Sequence, residues 1–312
     1  MNSSSRPQGE RAVRVDPGLE EFARSEVSRQ LGGGRAISVE ALQVGIHHAV
    51  LLVTVESSPY PVVLKVAGPD DQRPIDFDRT AAVIALAQAA GVPVPAVVAV
   101  DSTYRAGPWR YLMLEHVAGT EWRDVRPLLD DDGVAAAHEQ MADALLAIQS
   151  VRLGSFGEVD EGLPRPDLLG ALRRRADRLI TDERARRSFA AVLDRDAGLF
   201  VAPEQTSTLS HDDLHHGNLV FRPVRGRWQL VGVLDWDKAW AGPAESDVAR
   251  MAFWDDMTGP AFWEVYRSAV PMIDGWAERM LIYQLLWCLE FNSTSARHQL
   301  DTLRLRRQLR VD

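Results

Sequence analysis

The apolar positions change their period partway along the chain. Between residues 37 and 115 they fall in short runs rich in Val and Leu, at 37–44, 50–56, 62–66, 95–100 and 109–115. Gly45, Ser57-Ser58-Pro59 and Gly68 separate the first three of these runs. Short runs of this kind, bounded by turn residues, predict strands. Helical spacing at 20–31, closed by Gly32-Gly33-Gly34, and again at 77–90 predicts two helices. The first third therefore reads β-β-β-α-β-β after a leading helix. From about Gly119 the spacing turns helical, at 135–148, 167–180, 182–193, 259–270 and 277–292. One β-type stretch interrupts it, 219–234, with a turn at Arg225-Gly226.

The pattern predicts an α+β protein of two lobes. A small, mostly β N-terminal lobe spans 1–116, with 1–14 a loose polar arm, and a larger, mostly α lobe spans 117–312. Residues 1–14 contain no apolar segment of the signal-peptide kind, so no secretory leader is expected. The longest apolar stretch, 80–100, is broken by Gln88, Gly91, Pro93 and Pro95. It reads as a helix ending at Gly91 followed by an extended segment, not as a membrane span.

Charge narrows the partners. Lys plus Arg is 35 and Asp plus Glu is 44, so the formal net charge of the 312 residues is 35 − 44 = −9. An acidic chain is a poor ligand for nucleic acid or an anionic membrane, and it suits a small, cationic partner. No obligate protein partner is implied. The single cysteine, Cys288, excludes an intrachain disulfide framework and fits a reducing, cytoplasmic setting. The basic runs 173–175 and 184–187 are expected to be solvated helix faces.

The densest polar cluster is Ser210-His211-Asp212-Asp213-Leu214-His215-His216-Gly217-Asn218, followed by the β-type stretch and Leu234-Asp235-Trp236-Asp237. A carboxylate, an amide five residues on and a second carboxylate after a hairpin supply what metal-assisted phosphoryl transfer requires. One carboxylate orients a hydroxyl and accepts its proton, while amide and carboxylate oxygens hold Mg²⁺ on phosphates. His211, His215 and His216 as a zinc cluster is the alternative. Gly217 and the adjacent strand place them in a loop, and asparagine is a poor zinc ligand.

The pattern His-x-Asp-x-x-x-x-Asn followed by Leu-Asp-Trp-Asp resembles the aminoglycoside phosphotransferase family of phosphotransferase enzymes, a branch of the protein-kinase-like fold. The usual family wording is close to His-Gly-Asp-Leu-His-Pro-Gly-Asn. Here Asp212 replaces the Gly and His216 the Pro. The resemblance runs from about residue 42 to 247. It implies that Asp213 is the catalytic aspartate and that His211 shapes its loop. It implies that Asn218 and Asp235 are the magnesium ligands and that Asp247, in Ser246-Asp247-Val248-Ala249, braces the loop.

Upstream, Lys65 in Val62-Val63-Leu64-Lys65-Val66 resembles the strand lysine that contacts the α- and β-phosphates. A lysine in an apolar strand needs a partner. The family's helix glutamate is replaced by Thr80. Asp76, one turn earlier, is a candidate substitute, with another acid or the phosphates themselves as the alternatives. The phosphate-covering loop corresponds to 44–50, which includes His47 and His48. The linker Leu114-Glu115-His116-Val117 resembles the adenine-binding hinge, with the Glu115 carbonyl and Val117 amide facing the base and Leu114 as gatekeeper. Ser155-Phe156-Gly157 precedes the catalytic loop and is not the kinase Asp-Phe-Gly.

The expected activity is transfer of a phosphoryl group from ATP or GTP, with Mg²⁺, to a hydroxyl of an antibiotic, aminoglycoside-like or other, which would confer resistance. A metabolic kinase for a sugar, amino alcohol or nucleoside analogue is the first alternative, and a nucleotide-binding pseudokinase the second. Asp255, Asp256, Glu264 and Glu290, among many aromatics, are the candidates for binding a cationic acceptor.

Overall fold

Every strand expected before residue 116 forms, and the five pair into one antiparallel sheet. In the computed structural model, residues 15–44, 49–56, 58–68, 76–159, 167–201, 206–291 and 295–311 are described. Strands β1 (Ala36–Val44), β2 (Ala49–Val55), β3 (Val62–Ala67), β4 (Val97–Asp101) and β5 (Arg110–Glu115) stand in the order β1-β2-β3-β5-β4. The register sets Lys65 opposite Leu112 on β5 and Val50 on β2.

Helix α1 (Pro17–Gln30) begins where Asp16 accepts the Gly18 and Leu19 amides at 2.9 and 3.2 Å. It buries Phe22, Ala23 and Val27 against Leu51, Val53, Leu64 and Met113 of the sheet. Helix α2 (Phe77–Ala89) stops before Gly91, whose φ of +84° is the left-handed value that suits glycine.

From residue 120 the elements are β6 (Thr120–Glu121), α3 (Trp122–Val125), α4 (Asp131–Ser150), α5 (Leu168–Leu179) and α6 (Glu183–Arg195). They continue with β7 (Ser207–Ser210), β8 (Leu219–Val224), β9 (Arg227–Val233), β10 (Trp240–Pro243) and α7 (Ala244–Phe253). The last three are α8 (Pro260–Ala269), α9 (Trp276–Glu290) and α10 (Ala296–Gln308). Two small sheets form, β10-β7 and β6-β8-β9. The β8–β9 hairpin turns at Arg225 and Gly226, both with positive φ.

Helices α7 and α10 escape the hydrophobic period for opposite reasons. Helix α7 is buried over most of its surface, with Glu245, Ser246, Asp247 and Arg250 inside alongside Val248, Ala249 and Met251, so charged and apolar positions alike face inward. Helix α10 buries little beyond Leu305. The expectation of a solvated face at 173–175 fails at Arg175. It shares the inner face of α5 with Leu168, Ala171 and Leu172 and is 3% exposed. Arg175 donates to Glu158 at 3.0 Å and to the Asp212 carboxylate, and it lies over the Trp240 ring at 4.5 Å.

The chain forms two compact units. The first is the described chain to Ala85 with Pro95–Val117; the second is Leu86–Val94 with the chain from Ala118 on. The sequence division at 116/117 would leave 86–94 in the first lobe. Instead, the Pro93 carbonyl accepts the Val233 amide at 2.7 Å, which ties this segment to β9. Among the described residues no helix is long and apolar enough to cross a membrane.

Candidate active site

The loop after β7 is built on a buried aspartate of α7. Asp247 is 0% exposed, and its carboxylate accepts the amides of His211 at 2.8 Å and Asp212 at 2.7 Å. Burial and, secondarily, the nearby Asp212 charge push its carboxyl up to about 7, against the pull of the two amides. Asp247→Ala would strand two N–H donors, one buried and one part-buried. We expect it to lower stability by roughly 2–4 kcal/mol, read by thermal unfolding, and to lower turnover with it.

His211 locks the next turn. Its Nδ1 accepts the Asp213 amide at 3.2 Å, so its Nε2 carries the proton donated to the Leu234 carbonyl at 2.8 Å. Burial holds the ring neutral by lowering its pKa. The ring packs 4.4 Å from Trp236. Asp212 sits at φ +61°, a strained backbone position, with its carboxylate on Arg175. That chain of contacts turns the Asp213 side chain toward Arg250 and Lys238. Arg250 Nη2 donates to Asp213 Oδ1, and Lys238 Nζ stands 3.8 Å from Oδ2.

Asn218 Nδ2 donates to the Asp213 carbonyl at 2.8 Å, which leaves its amide oxygen as the outward acceptor. The Leu234 amide donates to the Asn218 carbonyl at 2.8 Å, and Leu219 pairs with Val233. The hairpin thus returns Asp235 beside Asn218. Asp235 holds φ +65°, a left-handed conformation in which aspartate is tolerated. An amide oxygen and a carboxylate are hard donors that fit an oxygen-seeking divalent cation. The histidines fasten backbone instead: His215 Nδ1 accepts the Gly217 amide at 3.0 Å, and His216 bonds the Asp255 carbonyl. Burial lowers the His215 pKa to about 4.

A pocket of about 750 Å³ opens on Asp213, lined by His215, Arg250, Trp254, Trp287 and Phe291 among others. Three of the four acids expected to bind a cation are ion-paired within the protein, and the fourth lies elsewhere. Asp255 pairs with Arg297 at 2.9 Å, Asp256 with Arg126 at 3.3 Å, and Glu290 with Lys238 at 2.9 Å. Glu264 lines a separate hollow on α8 with Trp263 and Arg267. Sequence reasoning missed Arg250 and Lys238. The signal for Arg250 was its i,i+3 spacing from Asp247 on one helix.

In the first unit, Lys65 is buried on β3 and Leu114 is buried on β5. Glu115 is exposed, and its amide donates to the Ala96 carbonyl at 2.9 Å. The Val117 amide donates no hydrogen bond among the described residues. Asp76 does not stand on the helix face. It is the N-terminal cap of α2, accepting the Arg79 amide at 2.9 Å, because the helix begins one residue later. Thr80 is buried and donates its hydroxyl to the Asp76 carbonyl at 3.1 Å. Of the expected phosphate-covering loop, 45–48, with His47 and His48, lie outside the described residues.

The profile of the phosphotransferase enzyme family matches residues 38–281. No curated protein matches the chain. A candidate aminoglycoside phosphotransferase from Ralstonia eutropha JMP134 is similar in structure, with TM-score 0.66, 17% identity, and 95% of this chain and 96% of that one covered. APH(2″)-IIIa in complex with GDP and kanamycin follows with TM-score 0.59, 17% identity, and coverage of 92% and 96%. Choline kinase from Cryptosporidium parvum Iowa II has TM-score 0.53, 11% identity, and coverage of 88% of each chain. At these identities the likeness is one of fold, which is protein-kinase-like.

Proposed function

The chain belongs to the phosphotransferase enzyme family, and on that premise we propose that it transfers the γ-phosphoryl group of ATP or GTP to a hydroxyl of a small molecule. The observation that carries this reading is the convergence of Asp213, Asn218 and the Asp235 end of the hairpin on a loop braced by Asp247, with a pocket opening on Asp213.

Asp213 accepts the hydroxyl proton as the acceptor oxygen forms its bond to phosphorus. The bond between the γ-phosphorus and the β,γ-bridging oxygen breaks, and the nucleoside diphosphate leaves with the electron pair. Arg250 and Lys238 position the Asp213 carboxylate from one side. Asn218 and Asp235 are the residues that would hold Mg²⁺, which when bound offsets the negative charge of the phosphates. The family pattern assigns Lys65 to the α- and β-phosphates. It assigns Leu114, the Glu115 carbonyl and the Val117 amide to the adenine edge. Asp76, as a helix cap, has no assigned part in nucleotide binding. The intact set of Asp213, Asn218, Asp235 and Lys65 argues against a role in binding alone.

An antibiotic inactivated by phosphorylation is the first acceptor class, since solved neighbours carry kanamycin and gentamicin. The likeness to a choline kinase favours a metabolic alcohol as the second. A cytoplasmic setting supplies the nucleotide and the metal.

The test is nucleotide consumption by the purified protein against a panel of antibiotics and metabolite alcohols, with product mass. A product heavier by one phosphoryl group is expected from at least one alcohol. Nucleotide loss with no phosphorylated alcohol would instead indicate a hydrolase.

A further inference from the structure

Building on the kinase reading, we infer that the acceptor is an alcohol with an aromatic or otherwise apolar body that carries a carboxylate, and not a polyamine. Among the described residues, the pocket containing Asp213 is lined by four arginines, Arg123, Arg126, Arg250 and Arg297, against three aspartates, Asp213, Asp256 and Asp301. Each aspartate already has a guanidinium. Arg250 holds Asp213, Arg126 lies 3.3 Å from Asp256, and Arg297 lies 3.1 Å from Asp301. Arg123 and Arg297 are in turn held by Glu121 and Asp255 at 2.6 and 2.9 Å, so an entering ammonium would find each carboxylate of the pocket already engaged by a guanidinium.

For a carboxylate the balance reverses. Arg126 meets Asp256 as an ion pair outside hydrogen-bond geometry, and its guanidinium makes no hydrogen bond among the described residues. A guanidinium with its terminal nitrogens available takes a carboxylate through two parallel N–H donors.

The apolar body has its own wall. Phe253, Trp254 and Phe291 stand 4.9, 5.2 and 5.4 Å from Trp287, ring centre to ring centre. The Trp287 ring already carries Arg250, with Cζ 4.2 Å from its centre, so this ring face is taken by a protein cation. What the wall offers a ligand is apolar contact.

The test uses a matched set on one 2-hydroxy scaffold: 3-phenyllactate, 3-phenylpropane-1,2-diol and 1-amino-3-phenylpropan-2-ol, with kanamycin as the polyamine. Trp254 and Trp287 line the pocket, so tryptophan fluorescence reports occupancy without turnover. The acid is expected to bind at least about tenfold more tightly than the amine, with the diol between them and kanamycin giving no saturable change. Arg126→Gln should weaken the acid about fivefold or more and leave the diol unchanged. Tighter binding of the amine or kanamycin, or no binding by any member of the set, overturns the inference. Phosphorylation of kanamycin in the nucleotide-consumption assay would also overturn it while upholding the kinase reading, so the two fail separately.

Discussion

Asp213→Asn lowers kcat by about 10³-fold and leaves nucleotide affinity near that of the unmodified protein. The substitution keeps the shape of the side chain and removes its capacity to take a proton. A structural side effect comes with it, because Arg250 is 5% exposed and loses its anion. The thermal midpoint should therefore fall by several degrees, as for a buried ion pair losing one member. Adding Arg250→Met removes the stranded charge. The double variant should regain most of the lost midpoint and none of the lost turnover. Recovery of both would mean that Asp213 acts only through the fold. Loss of nucleotide binding in the folded single variant would mean that the loop serves the nucleotide instead.

Asp235→Asn raises the Mg²⁺ concentration needed for half-maximal rate by about 10²-fold, corresponding to about 2.7 kcal/mol of lost charge stabilisation. Asparagine is the informative replacement because it also tolerates the left-handed backbone, φ +65°, that Asp235 adopts. Alanine would mix a backbone cost with the chemical one. Asn218→Ala should give the milder effect, about tenfold, since an amide oxygen offers the metal a dipole and not a charge. A Mg²⁺ titration of initial rates checks the order. Equal Mg²⁺ requirement for Asp235→Asn and the unmodified enzyme contradicts the assignment.

Much of this arrangement is legible in the sequence because it is written in local spacing. The strands 37–44, 50–56 and 62–66 announce themselves by composition and by the turns between them. The five-residue step from Asp213 to Asn218, and the hairpin from Leu219 to Leu234, place hard oxygen donors together before any coordinates are known. What spacing cannot supply is the partner of a charge. Arg250 holds an aspartate 37 residues earlier, and Arg175 looks like one member of a basic run until Glu158, Asp212 and Trp240 close around it. The partners of the acids between Asp255 and Glu290 are hidden for the same reason. The chain can be counted for carboxylates, but pairing with Arg126, Arg297 and Lys238 is a property of the fold. Asp76 turned on a single residue of helix register. Once α2 begins at Phe77, the carboxylate before it caps the helix instead of extending its face.

The most direct measurement is a crystal structure with Mg²⁺ and a non-hydrolysable ATP analogue. It should place the ion about 2.1 Å from the Asn218 amide oxygen and from an Asp235 carboxylate oxygen. The Asp213 carboxylate should be free of the metal and should face the γ-phosphate across a gap that an alcohol oxygen can fill. A metal bound directly by Asp213, or a nucleotide whose phosphates lie away from the 211–218 loop, would contradict the assignment of Asp213 as the base.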